Sequence, residues 1–198
     1  MMPVLILAAG ASFRMRGQDK LLMDIDGVPL LARQVRRALS VSEDVRVALP
    51  AAPHPRYACV APPARAIDVP DADEGMAASL RRLIATLGPD TPTAMILLAD
   101  LPDITVSDLK AVMGAVQTHP NARIWRGATQ DGKPGHPLII RADLFSDFAT
   151  LTGDTGGQHI LAQCKADTCL VPLAGQRARL DLDTPEDWAA WRASTAGD

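Results

Sequence analysis

The sequence predicts an α/β protein, a Rossmann-like three-layer α/β/α sandwich around a mostly parallel sheet. Two observations predict it: short runs of Val, Ile and Leu recur along the chain, and segments with helix start and stop signals lie between them. Strands that are buried on both faces of a parallel sheet read as continuous apolar runs of this kind. Because strand and helix alternate, crossover connections place helices on both faces of the sheet.

Three apolar runs are predicted to be inner strands, at residues 4–7, 45–49 and 95–98. Each is too short and too continuously apolar for an amphipathic helix. The later third of the chain is less regular, with glycine-rich loops between short strand candidates at residues 124–125, 138–140 and 170–171. We therefore expect a mixed sheet edge there.

Helices are predicted over residues 30–39, 76–87 and 106–117. Pro29 precedes the first, Gly88 ends the second, and a possible capping box of Thr105 and Asp108 begins the third. The segment Thr184-Pro185-Glu186-Asp187 opens a last helix with a hydroxyl cap, a proline and two acids that suit the positive end of the helix dipole. The proline-rich residues 51–63 are expected to form a surface loop.

Length and charge narrow the classes of function. The 198 residues, 47% of them hydrophobic, suffice for one sizeable core, so we expect a single domain over residues 1–198. With 20 Lys and Arg against 23 Asp and Glu, there is no global basic field to attract nucleic acid or an anionic membrane.

The three cysteines form no CxxC pair that would suggest a zinc or redox site. The apolar start at residues 3–9 is shorter than the roughly 20 residues of a membrane-spanning helix. We expect a cytoplasmic protein that binds any anion at a local site.

The segment after the first strand, residues 7–20, carries the strongest functional signal. It begins at the carboxyl end of a buried strand, where open α/β sheets place ligands. Small residues at positions 8–11 let a ligand approach main-chain N–H groups, and Arg14 and Lys20 supply cations for a polyphosphate. The spacing fits neither the GxGxxG fingerprint nor the GxxxxGK[ST] P-loop. The alternative is a surface loop with solvated basic side chains.

Acidic residues follow in two places. Asp100 comes directly after the apolar run that ends at Ala99, at the same sheet edge as residues 7–20. Magnesium commonly takes one or two carboxylates together with substrate phosphates. Asp181 and Asp183 lie on one side of an extended chain, so both can face a metal while Leu182 turns into the core. The alternatives are that Asp100 is a turn residue and that Asp183 merely caps the last helix.

These segments together resemble the MobA-like NTP transferases, in particular the molybdenum cofactor cytidylyltransferases. Residues 7–20 resemble the family signature LAAGxSxRMG…K, residues 99–102 its metal-binding ADxP segment, and residues 181–187 its DIDTPED segment. The resemblance extends from Leu5 to Trp188 and implies the nucleotide-diphospho-sugar transferase type of fold. It also implies Mg²⁺ as the cofactor.

The resemblance assigns residues to the nucleotide and the metal. Residues 74–80 are similar to the family's GMxxSL segment near the base and ribose. The implied nucleotide-binding residues are Leu7, Ala8, Ala9, Gly10, Ser12, Arg14, Lys20, Gly75, Ser79 and Asp100, of which Lys20, Arg14 and Asp100 are also catalytic. The implied metal ligands are Asp100, Asp181 and Asp183, and we favour Asp181 over Asp183. Ser79 can instead bond to its own helix backbone.

One departure from the family pattern concerns the arginines. This chain has an extra residue between the arginine and Lys20, so that either Arg14 or Arg16 can face the phosphates.

The acceptor side is assigned by resemblance alone. Residues 133–137 match the family's GHP segment and residues 153–157 resemble its GDxG segment, which implies acceptor binding by Gly135, His136, Pro137, Gly153 and Asp154. In its proline-framed turn, His136 fits a hydrogen-bonding role better than that of a base, because the attacking phosphate is already anionic. The other three histidines lack metal-ligand spacing and are assigned no chemistry.

The implied reaction is magnesium-dependent transfer of CMP from CTP to the molybdenum (molybdopterin) cofactor, with release of pyrophosphate. CTP is favoured because residues 7–10 read LAAG, whereas the family's guanylyltransferases have LAGG. A molybdoenzyme or its chaperone is a further implied partner. Three alternatives are a transferase acting on a sugar phosphate or methylerythritol phosphate, a non-catalytic cofactor carrier, and a structural module without a small-molecule site.

Overall fold

A computed structural model describes residues 1–153 and 156–195. Its strands and helices are, in chain order, β1 (Val4–Leu7), β2 (Asp24–Ile25), β3 (Val28–Pro29), α1 (Leu30–Leu39), β4 (Val45–Pro50), β5 (Arg65–Val69), α2 (Met76–Ala85), β6 (Thr93–Leu98), α3 (Val106–Thr118), β7 (Ile124–Ala128), β8 (Pro134–Arg141), α4 (Phe145–Ala149), α5 (Gln158–Gln163), β9 (Thr168–Pro172) and α6 (Pro185–Thr195). The predicted inner strands and helices are confirmed, although α2 ends two residues earlier than expected.

The main sheet has seven strands in the order β5-β4-β1-β6-β8-β7-β9. Strands β5, β4, β1 and β6 run parallel, β8 is antiparallel to both of its neighbours, and β9 is parallel to β7. The predicted mixed edge is therefore confirmed. The sequence did not predict β5, in which only Val69 is buried and no continuous apolar run exists. It also did not predict the short hairpin of β2 and β3.

Helices cover both faces of the sheet. On one face, α1, α3 and α6 pack through residues such as Leu31, Val112 and Trp188. On the other face, α2, α4 and α5 pack through residues such as Leu80, Phe148 and Ile160. The predicted three-layer sandwich is thus confirmed.

The pairing of β1 with β6 positions the candidate site. Leu7 pairs with Leu98, so the segments that follow the two strands leave the sheet side by side. The N–H of Leu182 donates to the carbonyl of Asp100 at 3.3 Å, and the Leu182 side chain is buried as predicted. Three distant parts of the chain therefore meet at one sheet edge.

The expectation for residues 51–63 was incomplete. They include a 3₁₀ helix, Pro55–Cys59, whose first turn is capped by His54 Nδ1 accepting from the Arg56 N–H at 3.3 Å. Arg56 is buried under the loop that follows β1, so the segment is more than a surface loop. Among the described residues, no helix has the length and apolar character needed to span a bilayer.

Candidate active site

A cleft of about 500 Å³ opens at the carboxyl ends of β1 and β6. Every residue that the sequence assigned to the nucleotide or the metal lines it, namely Leu7, Ala8, Ala9, Gly10, Ser12, Arg14, Lys20, Gly75, Ser79, Asp100, Asp181 and Asp183. The structure therefore brings together residues from Leu7 to Asp183, which lie near opposite ends of the chain.

Lys20 is the centre of the charged end of the cleft. Its Nζ lies 2.5 Å from Asp100 Oδ2 and 2.7 Å from Asp183 Oδ1. Burial alone would lower the pKa of Lys20, but the two carboxylates outweigh burial and raise it, so the side chain stays protonated. Arg14 Nη2 adds a second cation 2.7 Å from Asp183 Oδ2.

The three aspartates form an arrangement that suits a divalent cation. One carboxylate oxygen from each of Asp100, Asp181 and Asp183 lies within 4.8 Å of the other two. Asp100 Oδ1 is buried and has no hydrogen-bond partner among the described residues. Hard oxygen donors in such a cluster are the ligands that Mg²⁺ and similar ions prefer, and a cation would satisfy this oxygen. The residues present therefore fit the implied metal.

The pKa values of Asp181 and Asp183, the two aspartates near α6, are shifted in opposite directions by their surroundings. Partial desolvation by the cleft walls, together with the nearby Asp183 and Asp100 carboxylates, raises the pKa of Asp181. Burial opposes ionisation of Asp183 as well, but Lys20 and Arg14 outweigh it and lower the pKa of Asp183. Asp183 does not cap α6, because Thr184 Oγ1 accepts from the Asp187 N–H at 3.1 Å. Each oxygen of Asp183 contacts one of these two cations, so a metal at Asp183 would have to displace Lys20 or Arg14.

The structure separates the two candidate arginines. Arg14 lines the cleft, whereas Arg16 does not and forms an ion pair with Glu186 at 2.6 Å on the exposed surface. Ser12 and Arg16 both have left-handed backbone conformations, with φ of 54° and 53°, which turn the chain on either side of the exposed Phe13. The loop geometry favours Arg14 as the cation that faces the cleft.

Gly75 and Ser79 lie at the start of α2. Gly75 has φ of 101°, a conformation that side chains disfavour, and it ends the 3₁₀ turn that leads into the helix. The Ser79 hydroxyl makes no hydrogen bond to its own helix within the described part of the chain. The alternative in which Ser79 bonds to its own backbone is therefore not what the structure contains.

The predicted acceptor residues that the structure describes do not line this cleft, although the Gly153 carbonyl accepts from the Ala77 N–H at 3.3 Å. Gly135, His136, Pro137 and Gly153 are absent from its lining, and Asp154 lies outside the described residues. A Cβ on Gly135 would lie 2.0 Å from the Ala178 carbonyl oxygen, so close backbone packing accounts for this glycine. Desolvation, reinforced by Arg126, lowers the pKa of His136 to about 4, which leaves the imidazole neutral near neutral pH.

Sequence reasoning missed Arg56 and its partner Asp19, which hold the loop from beneath. The only available signal was the position of Asp19 directly before Lys20, since Arg56 belongs to no motif in its proline-rich segment.

A comparison with protein families agrees with this geometry. The model of the MobA-like NTP transferase domain matches residues 4–168. The chain belongs to the MobA-like NTP transferase family. Membership assigns it to the nucleotidyltransferases, as its sequence predicted.

Relatives of this MobA-like chain cover nearly its full length. A probable molybdenum cofactor guanylyltransferase of Synechococcus elongatus is 29% identical over 197 residues, which cover 96% of this chain and 97% of the relative. The solved structure of an Rv0371c homologue from Mycobacterium sp. strain JC1 has a TM-score of 0.85 and 25% identity, covering 99% and 97% of the two chains. A manganese complex of Rv0371c from Mycobacterium tuberculosis has a TM-score of 0.80 and 23% identity, covering 98% and 99%, and supports the fold.

Proposed function

We propose that this protein is a magnesium-dependent cytidylyltransferase that moves CMP from CTP to the molybdenum cofactor and releases pyrophosphate. The observation that carries the proposal is the meeting of Lys20 and Arg14 with three aspartates at one end of a cleft bordered by small loop residues. An NTP with its metal ion needs that combination: main-chain donors for phosphate, cations for the remaining charge, and carboxylates for the ion.

The proposed reaction is an in-line attack by the acceptor's terminal phosphate on the α-phosphorus of CTP. Mg²⁺, when bound to Asp100 with Asp181 or Asp183, supplies Lewis-acid polarisation of phosphate oxygens. Lys20 and Arg14 offset the negative charge that builds up on the transferred and leaving phosphates. Positioning and charge stabilisation suffice for such a step, and the attacking phosphate needs no base.

The nucleotide preference is proposed from Ala9. This residue lines the cleft and is only 4% exposed. The preference for CTP rests on the LAAG resemblance of residues 7–10. A second candidate is guanylyl transfer, which the name of the Synechococcus relative favours.

The acceptor substrate and the cellular compartment of the protein are further parts of the same proposal. We assign binding of the molybdenum cofactor to Gly135, His136, Pro137, Gly153 and Asp154 on resemblance to the GHP and GDxG segments, and Asp154 lies outside the described residues. The free cysteines Cys59, Cys164 and Cys169 support a reducing, cytoplasmic setting. A molybdoenzyme or its chaperone would receive the product.

One assay tests the donor, the acceptor and catalysis together. The protein is incubated with Mg²⁺, each of the four NTPs in turn and one acceptor at a time, which is the molybdenum cofactor, a sugar phosphate or methylerythritol phosphate. Pyrophosphate release and CTP binding are both measured. Release with CTP and cofactor alone is the expected result. Release with GTP replaces the donor, release with a sugar phosphate or methylerythritol phosphate replaces the acceptor, and CTP binding without pyrophosphate favours a carrier.

The Ala9→Gly variant is the matched control for the donor. Removing one methyl group should shift the ratio of kcat/KM for CTP and GTP towards GTP by about tenfold, the scale on which a single methyl group discriminates between substrates. An unchanged ratio would remove Ala9 from the explanation of nucleotide choice.

A further inference from the structure

Arg56 lies beneath the loop that follows β1 and uses every N–H of its guanidinium. Its Nε and Nη2 donate to the two carboxylate oxygens of Asp19, each at 2.7 Å. Its Nη1 donates to the carbonyls of Ala8 at 2.6 Å and Gly10 at 2.8 Å, and Nη2 also donates to Ser12 Oγ at 3.2 Å. The side chain is 2% exposed, so these are buried, charge-assisted contacts.

These contacts orient the main chain of the loop. In a trans peptide the C=O and the next N–H point in opposite directions, so carbonyls that face Arg56 turn the N–H groups of Ala9 and Ala11 away from it. Neither of these N–H groups has a protein acceptor among residues 1–153 and 156–195, and both residues line the cleft. Arg56 therefore leaves two main-chain donors free on the side where a phosphate or a base edge would bind.

Asp19 connects Arg56 to the turn that carries Lys20. Its Oδ1 accepts from the N–H of Leu21 at 3.0 Å and so caps the 3₁₀ helix Lys20–Leu22, which presents the lysine to Asp100 and Asp183. The same carboxylate receives the fork of Arg56. One buried ion pair thus connects the glycine loop with the turn that carries the cleft's central cation.

We propose that Arg56, through Asp19, is a positioning residue that holds the loop of residues 8–20 in its nucleotide-binding conformation. The inference rests on the proposed function for the identity of the ligand, but the geometry of the loop is independent of it. Arg56 touches no reacting atom in this scheme and acts through the loop alone. A lysine at this position keeps the charge but lacks the planar fork that five separate contacts require.

The test compares two buried arginines, Arg46 at the start of β4 and Arg56 after its end. Arg46 lies at the start of that strand, is 7% exposed and also holds an aspartate with two bonds, to Asp44 at 2.8 and 2.6 Å, far along the strand from the cleft. Arg56→Lys and Arg46→Lys therefore break comparable buried contacts at opposite ends of the strand. Thermal unfolding of both variants measures how much stability each one loses with its buried contacts.

Two readouts follow in the full-length protein. Limited trypsin digestion should cleave after Arg14 and Arg16 several-fold faster in Arg56→Lys than in wild type, with no such change in Arg46→Lys. Titration with a fluorescent methylanthraniloyl derivative of CTP in Mg²⁺ should show about tenfold weaker binding in Arg56→Lys, the lower end for loss of hydrogen bonds to a charged group. Arg46→Lys should bind like wild type.

Opposite results would overturn the inference. Wild-type cleavage and affinity in a folded Arg56→Lys, or equal losses in Arg46→Lys, would make Arg56 an ordinary structural arginine. If Arg56→Lys does not fold, Asp19→Asn, which keeps the oxygen that caps Leu21, must give the same loop cleavage and weaker binding, and a wild-type result there overturns the inference. Failure of the wild-type protein to bind any NTP would instead count against the proposed function, and the trypsin comparison would still decide the role of Arg56.

Discussion

The two ends of the proposed active site are built by different means. At the nucleotide end, side chains of opposite charge meet in the cleft, with Lys20 bridging Asp100 and Asp183. At the acceptor end, backbone packing dominates: Gly135 lies against Ala178, and a Cβ on Gly127 would lie 2.6 Å from the His136 carbonyl oxygen. The difference teaches that a motif glycine can be explained by chain packing, whereas a motif lysine among carboxylates needs a chemical reason.

The largest expected effect is at the nucleotide end. Replacing Lys20 or Asp100 with alanine should reduce pyrophosphate release by about a hundredfold or more, the scale of losing one well-placed charge partner, or about 3 kcal/mol. Both variants should fold, because the side chains lie at the cleft wall, and circular dichroism checks this. Wild-type activity in either variant would remove that residue from the mechanism.

A second measurement on Lys20 probes the metal. Its ammonium group occupies carboxylate oxygens that a divalent cation would also use, since Nζ lies within 2.7 Å of both Asp100 and Asp183. Lys20→Met should therefore bind Mn²⁺ more tightly than wild type in the absence of nucleotide, measured by the free Mn²⁺ signal in electron paramagnetic resonance. Equal or weaker binding would contradict direct competition between lysine and metal.

At the proposed acceptor end, a substitution of Gly135 should lower the free energy of unfolding of the protein. Gly135→Ala places a methyl group against the Ala178 backbone and should disrupt the bond from the His136 N–H to the Ala178 carbonyl, now 2.8 Å. A loss of about 3 kcal/mol in unfolding free energy is expected, at the upper end for overpacking. Gly114→Ala in α3 is the control, because it meets nothing within 4 Å and lies in a helix. A stable Gly135→Ala that fails only in acceptor binding would reverse this interpretation.

A smaller effect distinguishes the two loop arginines. Arg14→Ala should weaken NTP binding by about tenfold, because it loses charge-assisted contacts at the cleft. Arg16→Ala breaks only an exposed ion pair with Glu186, which typically contributes about 0.5 kcal/mol, so its KM should stay close to wild type. Steady-state kinetics on the pair measures this, and a larger change in Arg16→Ala would assign the phosphates to the other arginine.

A last effect concerns acid stability at the proposed acceptor end. The pKa of His136 is about 4 in the folded protein and about 6.5 in an unfolded chain, so between these values the unfolded chain binds more protons. The stability that neutral His136 contributes is full above pH about 6.5 and declines as the pH falls towards 4. His136→Gln should flatten this part of the curve in urea unfolding, and a curve identical to that of the wild type would contradict the burial of the ring.

The parts of the fold that could be predicted are those with strong local signals. The continuous apolar strands and the capping box at Thr105 were predicted because burial on both faces and cap chemistry leave a local pattern. The edge strand β5 was missed because only Val69 of its five residues is buried, so that it has no continuous apolar run. The role of Arg56 was missed because its partners, Ala8, Gly10 and Asp19, are distant in the chain.

The sequence by itself determined the inner strands and the longer helices, the small and basic residues of the loop after β1, and the aspartates at the ends of their segments, because residue type and spacing are local properties. Only the tertiary structure decided that Lys20 lies between Asp100 and Asp183, that Arg14 rather than Arg16 faces the cleft, and that Arg56 supports the loop. These facts depend on distances between groups that the chain brings together only when the sheet pairs and the helices pack, and no local pattern records such distances.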